Sequence, residues 1–508
     1  MLMALVVFSA CEETPLSTGL LDVIPGDASF VVAIEYNQLI TKGGLNNLKD
    51  YSFYKKLQSE LANQETAVQQ LVENFYKDSK YTGLDLEKAY IYGKMLRNQF
   101  YTAVVFKMAN MGAFEKLLKD LMKVAGEEFK PTDEGDYKVL SLGDQLLTWN
   151  QYFCFVFSGD TDRIDLKEAF SLPKEKSISQ VDGFKDFQAR SFDVGFWLPF
   201  TTVLDLVKKE MNVVPPMMKD FDDAFINVFL AFEKGEIKLS AVTTPTSKMD
   251  DLLKKYPLYK KDFNQKLLQD FPDKSYFAAK YSINMEEYLK YIVEITSGMS
   301  GIMPIGNLDD MIDDPQVKMI VNAFGGDFLM NLYGFAQGPL PIPLLGISFT
   351  VKSKDDFEKL IALVPEGTFQ KQANYYYMSI MGMASCYVGY NDNRVYITDD
   401  SEAIVAFMGK GFDKSLASTP LGNELKKSLA LMYFNLDVDS YPNSIKSLIQ
   451  NEPEVAMGLN FLKGFKDLTI SASLDSYEAI LSIKLKDDSQ NSLKLIIKGI
   501  DEITANMY

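Results

Sequence analysis

The chain repeats itself, and this repetition restricts its fold more than any other feature. "VIPGDASFVVAIEYNQL" at residues 23–39 returns as "DFPDKSYFAAKYSINME" at 270–286, with Pro25, Phe30 and Asn37 answering to Pro272, Phe277 and Asn284 at one constant offset. "GLDLEKAYIYG", from Gly83, has its counterpart in "GDFLMNLYG", from Gly326. "AVVFKMANMGAFEKLL" at 103–118 returns as "GISFTVKSKDDFEKLI" at 346–361, and Tyr137, Gly143, Val156 and Asp160 answer to Tyr376, Gly382, Val395 and Asp399. The matches keep their order, which is the mark of a duplicated unit. We expect two tandem homologous units, residues 23–265 and 266–508, following a signal segment at 1–10 and a tether at 11–22. A chain of 508 residues is long enough for two cores.

Within each unit the apolar periods alternate in type. "SFVVAIEY", "YTAVVFKM", "QYFCFVFS" and "INVFLAFE" are short runs of β-branched and aromatic residues, as strands require. Residues 54–76 place Leu57, Leu61, Val68, Leu71 and Phe75 near helical spacing, and "FEKLLKDLM" and "FEKLIALV" read as helices that follow strands. "LTISASLDSYEAILSIKLK" at 468–486 reads as two strands joined near Asp475–Glu478, a hairpin that needs an antiparallel sheet. The expected class is α+β, each unit a mainly antiparallel sheet with helices packed on one face.

Several chemistries are excluded by composition. A formal charge of -17 repels a phosphate backbone, so nucleic acid is not an expected partner. The chain has no histidine, which removes Ser-His-Asp and Cys-His catalysis and His-ligated zinc. Cys11, Cys154 and Cys386 have no CxxC spacing, and the last two read as small buried hydrophobes. We expect no cofactor and no resident metal.

The opening "MLMALVVFSACEET" joins an apolar run to the small pair Ser9-Ala10 and then to Cys11. It resembles a bacterial lipoprotein signal, which implies cleavage before Cys11, lipid on that residue and attachment to the outer membrane. Glu12 and Glu13 resemble the acidic export signal of surface-displayed lipoproteins, which favours the cell surface over the periplasmic face. No other stretch has the roughly 18 apolar residues that a membrane-spanning helix needs.

Ile24-Pro25-x-Asp27-Ala28-x-Phe30-Val31-Val32, "LITKGGL" at 39–45, the Gly83-x-Asp85 step and the FEKL block together resemble a family of uncharacterised Bacteroidetes lipoproteins, a domain of unknown function that spans nearly the whole mature chain. The resemblance implies a fold and a location, and it assigns no catalytic or binding residues.

Acidic runs are the remaining invitation to chemistry. "DTDRID" at 160–165 and Asp399-Asp400-Ser401 fall where a strand passes into a helix, which makes them helix caps. "LDDMIDDP" at 308–315 and "DFDDAF" at 220–225 read as solvated acidic helix ends. One region departs from its partner half. "GMSGIMPIGNLDDMIDDPQ" and the later "GPLPIPLLG" mix Gly, Pro and Met with Ile and Leu, a broken backbone with apolar side chains. Met299, Ile302, Met303, Pro304, Pro339, Pro341 and Pro343 are therefore the candidate apolar binding loop. The expected function is an envelope-anchored, non-enzymatic binding or assembly lipoprotein whose partner is an envelope protein, an apolar ligand or a glycan. The alternatives are a carboxylate-dependent envelope glycan hydrolase and a glycan-capture partner of an outer-membrane transporter.

Overall fold

The computed structural model describes residues 19–61, 69, 79–96, 99–161, 164–211, 223–296, 314–336, 341–380, 384–450, 462–473 and 477–506. By packing, the chain divides into two compact units, one of Met1–Ile40 with Tyr54–Leu198 and one of Thr41–Phe53 with Pro199–Tyr508. The boundary expected from repetition, at 265/266, falls inside the second of these, at the 3-10 helix Gln265–Asp270.

In the first unit the strands are β1 (Phe30–Ile34), β2 (Leu84–Leu96), β3 (Gln99–Met108), β4 (Thr132–Asp133), β5 (Lys138–Leu142), β6 (Gln145–Trp149), β7 (Phe153–Gly159) and β8 (Val194–Pro199). They pair in the order β8-β1-β2-β3-β7-β6-β5-β4, every pair antiparallel. Period-two alternation turns Val31, Ala33, Trp197, Phe155 and Phe157 to the buried face. The helix Met111–Val124 starts where Asn110 Oδ1 accepts the Ala113 amide at 3.0 Å. Its Phe114, Leu118 and Met122 share one stripe and pack on Trp149 and Cys154. Burying each of these side chains contributes about 1.5–3 kcal/mol. The loop before β2 closes under this helix because Gly83 has φ 71° and a Cβ there would stand 2.4 Å from the Asn110 carbonyl oxygen. Cys154 is the buried small hydrophobe expected, and burial pushes its thiol up to about 12.

The second unit holds β9 (Phe225–Glu233), β10 (Glu236–Thr244), β11 (Phe277–Ser282), β12 (Phe324–Ala336), β13 (Ile342–Val351), β14 (Gln370–Lys371), β15 (Tyr375–Ile380), β16 (Ala384–Asn391), β17 (Arg394–Thr398), β18 (Ala430–Asn435), β19 (Phe465–Ala472) and β20 (Glu478–Leu485). They pair in the order β9-β10-β20-β19-β18-β11-β12-β13-β17-β16-β15-β14, again antiparallel throughout. The hairpin read from residues 468–486 is β19–β20. The tight turn between β16 and β17 puts Asp392 and Asn393 at φ 50° and 59°, the left-handed pair of a type I′ turn.

The two faces of this sheet differ in cover. Leu239, Leu481, Ile470, Met432, Ala279 and Met330 stand in one rung across six strands, on a face that is only half-covered. The opposite face is buried, and there Ser240, Ser482, Thr469, Lys280, Asn331 and Ser348 stand among the apolar Ala278, Leu329 and Leu431. The polar groups are tolerated inside because they find partners. Ser348 Oγ donates to Asp270 at 2.7 Å, Asn331 Nδ2 to the Lys274 carbonyl at 3.1 Å, and Lys280 Nζ to the Ser428 carbonyl.

Helices on one face were expected, and the second unit corrects this. Phe357 of the helix Lys354–Ala362 packs with Val395 and Phe349, whereas Ile404 and Phe407 of the helix Ser401–Met408 pack with Tyr396 and Leu329. Val395 and Tyr396 point to opposite faces of β17, and both are apolar enough to need cover. At the other end of the sheet, Leu495 and Ile496 of the helix Ser492–Asn506 join Ile237, Phe465 and Leu485. The same helix offers Asp501, whose two carboxylate oxygens accept the Ser52 and Phe53 amides at 2.8 Å each and so cap the helix Ser52–Leu61.

Candidate functional site

Of the candidate loop residues, Met299, Ile302, Met303, Pro304 and Pro339 lie outside the described residues, as does Cys11. Pro341 and Pro343 belong to the end of the β12–β13 hairpin. β11 accompanies β12 only as far as Leu332, and β17 accompanies β13 only from Gly346. Beyond those rungs the hairpin is a two-stranded ribbon with Phe335 opposite Pro343 and Ala336 opposite Ile342. Ile342 is 56% exposed and Pro343 is also exposed. At the foot of the ribbon Phe335 packs against Tyr276 (ring centroids 5.1 Å apart) and Tyr441 (6.3 Å), and the two tyrosines lie 4.7 Å apart. Their hydroxyls donate to the Ser440 carbonyl at 3.1 Å and the Asn435 carbonyl at 2.8 Å. Sequence reading missed this collar, because its rings come from the residue before β11, from β12 and from the C-cap of the 3-10 helix Val438–Ser440, and they meet only through strand register.

A cavity of about 570 Å³ opens beside the collar, walled by Tyr276, Tyr333, Phe335, Leu344 and Phe412, with Asp400 at its edge. Asp400 is a working helix cap. Its Oδ1 accepts the Glu402 amide at 2.8 Å, and its Oδ2 accepts from the Tyr333 hydroxyl at 3.2 Å. Asp399 Oδ1 accepts the Leu345 amide at 3.0 Å; burial raises this carboxyl while that amide opposes the shift. Burial likewise raises the Tyr333 hydroxyl.

A second cavity, about 530 Å³, lies between the helices Met285–Thr296 and Pro315–Ala323 and has Leu289, Val293 and Val321 in its wall. Its carboxylates are paired. Lys290 reaches Glu286 at 2.9 Å and Glu287 at 2.8 Å, and Glu294 accepts from Lys255 at 2.6 Å and from the Tyr256 hydroxyl. Hydrogen bonds from these partners hold Glu286 and Glu294 below their ordinary values.

The capping expected of "DTDRID" is observed, where Asp165 accepts the Glu168 amide at 3.0 Å. "LDDMIDDP", expected as a solvated helix end, instead has Asp314 at the start of the helix Pro315–Ala323, where it accepts from Gln316 at 2.7 Å and Val317 at 3.2 Å. Asp309, Asp310, Asp313, Asp220 and Asp222 lie outside the described residues. Among the described residues no three of His, Cys, Asp and Glu are placed to hold a metal ion, and no helix is long and apolar enough to cross a membrane.

A family described as a domain of unknown function (DUF4836) matches residues 21–495. The chain belongs to the DUF4836 family. No curated protein matches this DUF4836 chain. Among solved structures, crystal form III of TP0453 is 11% identical, with 48% of this chain and 88% of that chain covered and a TM-score of 0.27. Crystal form IV of TP0453 is 12% identical, with 44% and 81% covered and a TM-score of 0.25.

Proposed function

We propose that this DUF4836 protein is a lipid-anchored, non-enzymatic binding or assembly protein of the cell envelope, built from two copies of one α+β unit and held at the outer membrane through Cys11. The observation that carries the binding reading is that Asp400 beside one cavity, which Glu402 and Asp413 also line, and Glu286 and Glu294 beside the other are already engaged. A glycan hydrolase needs one free acid and one free base or nucleophile facing a shared space. Here Asp400 caps a helix and holds Tyr333, Asp399 holds a strand amide, and Glu286 and Glu294 are ion-paired. Ile342 and Pro343, in the last described rungs of β12–β13, are in contrast apolar and exposed.

Duplication is supported by strand order. The series β18-β11-β12-β13-β17-β16-β15-β14 in the second unit follows the same path as β8-β1-β2-β3-β7-β6-β5-β4 in the first. β2 and β12 each have 13 residues, β3 and β13 each have 10. The bridges Pro25 to Ser177 and Pro272 to Ser415 occur at matching places.

Metabolic labelling with a palmitate analogue tests the anchor. Wild-type protein is expected to take up label and sediment with outer membranes. Cys11→Ala is expected to lose the label and leave the membrane fraction; persistent labelling of that variant would overturn the assignment. A stoichiometric partner recovered in mild detergent is the expected sign of the assembly role, and turnover of envelope glycan by the purified protein would replace it with the hydrolase.

A further inference from the structure

We propose that the outer described rungs of the β12–β13 ribbon, Phe335 with Pro343 and Ala336 with Ile342, are a membrane-contact element, and that its occupant is the interfacial layer of a lipid bilayer. This deepens the anchored reading above and rests on it for the presence of a bilayer near the protein.

The first observation is charge. Nearly one residue in four of this chain is charged, yet none is charged from Phe328 to Val351. Moving this ribbon out of water therefore carries no cost for an ionised side chain. The second is shape. The rungs beyond Leu332 and Gly346 lie past the pairings with β11 and β17, and they end in exposed Ile342 and Pro343. A projecting apolar ribbon suits a deformable apolar layer, whereas a protein partner would need a matching groove. The third is the collar of Tyr276, Phe335 and Tyr441, with the tyrosine hydroxyls directed to backbone carbonyls of the protein. Amphipathic tyrosines gather where apolar and aqueous phases meet. Asp400, at the cavity beside the collar, marks where water must begin, so contact is confined to the ribbon beyond Phe335.

The equivalent hairpin of the first unit shares only the exposed apolar rung, since its sequence carries Lys94 and Arg97. Met95 and Phe100 pair across β2 and β3, beyond the last partners of β1 at Gly93 and β7 at Tyr101, and are 37% and 43% exposed. One apolar element gives weak, reversible attachment, and a lipid anchor with a second contact gives stable, oriented attachment.

The test uses full-length protein carrying Cys11→Ser, mixed with vesicles of phosphatidylethanolamine and phosphatidylglycerol. The apolar opening segment is common to every variant, so differences report the hairpin. Ile342→Asp is expected to lower vesicle partitioning at least tenfold, while Val405→Asp, 60% exposed on the helix Ser401–Met408, leaves it unchanged. Trp149 and Trp197 are fully buried, so Ile342→Trp supplies a reporter in this ribbon. Its emission is expected to shift to the blue on vesicle addition and to be quenched by brominated acyl chains. Equal partitioning of Ile342→Asp and wild type, or an unquenched Ile342→Trp, overturns the proposal. So does a dimer in vesicle-free solution that Ile342→Asp dissociates, which would make a second copy the occupant. Failure of Cys11 labelling would sink the anchor and leave these vesicle results standing.

Discussion

Lys280 shows how a buried charge on the inward sheet face is held. It is 3% exposed, donates to the Ser428 carbonyl and lies 4.5 Å from the centroid of the Phe263 ring. Burial draws its ammonium down to about 8, against the opposing attraction of Asp327. The unfolded chain holds its proton up to about 10.4, so between pH 8 and 10.4 the unfolded state binds more protons. Stability attributable to Lys280 therefore rises with pH across that window, by on the order of 2–3 kcal/mol in full. Lys280→Met should remove this rise. Urea midpoints of wild type and variant at pH 7.5 and pH 10 check it: the difference in stability between the two proteins should shift toward wild type at the higher pH. A constant difference would mean that Lys280 keeps an ordinary ammonium. Nothing in "FAAKYS" signalled this burial, because a lysine within a strand reads as solvent-facing until its partners are known.

At the scale of elements, local rules carried the reading a long way. Asp165 and Asp400 cap helices as their runs predict, and the β19–β20 hairpin follows from its alternating pattern. Long-range elements were less legible. The tyrosine collar and the helices on both sheet faces depend on which strands become neighbours, and no window of sequence contains that information. The cap on the helix Ser52–Leu61 is the clearest case, since Asp501 lies at the other end of the chain. Asp501→Ala leaves the Ser52 and Phe53 amides without these acceptors and should cost about 1–3 kcal/mol. Hydrogen exchange is the direct readout: amides of Ser52–Tyr54 should exchange faster in the variant while β11 amides keep their protection. Unchanged exchange at Ser52 and Phe53 would show that another group takes over the cap.

For the whole molecule, two divisions of the chain compete, the packing division, which gives Thr41–Phe53 and everything from Pro199 onward to the second unit, and the proposed repeat boundary at 265/266. They differ over β9 and β10, which the proposed repeat boundary gives to a first copy and which packing gives to the second compact unit. β10 runs antiparallel to β20 from Glu236↔Lys484 to Val242↔Glu478, with Leu239 and Leu481 at the midpoint. If β10 and β20 are equivalent last strands of two repeats, this seam is close to a two-fold junction, and either strand can replace the other. A fragment of residues 266–508 would then expose the β20 edge, and unpaired edges recruit a second copy. We expect that fragment to sediment as a dimer joined β20 to β20 about Leu481, and Leu481→Lys to return it to a monomer, because two lysines would then face each other across the seam. A folded, monomeric fragment would rule out equivalence of the two strands. A fragment that fails to fold until residues 199–265 are restored would make the packing boundary, and not the repeat boundary, the limit of the folding unit.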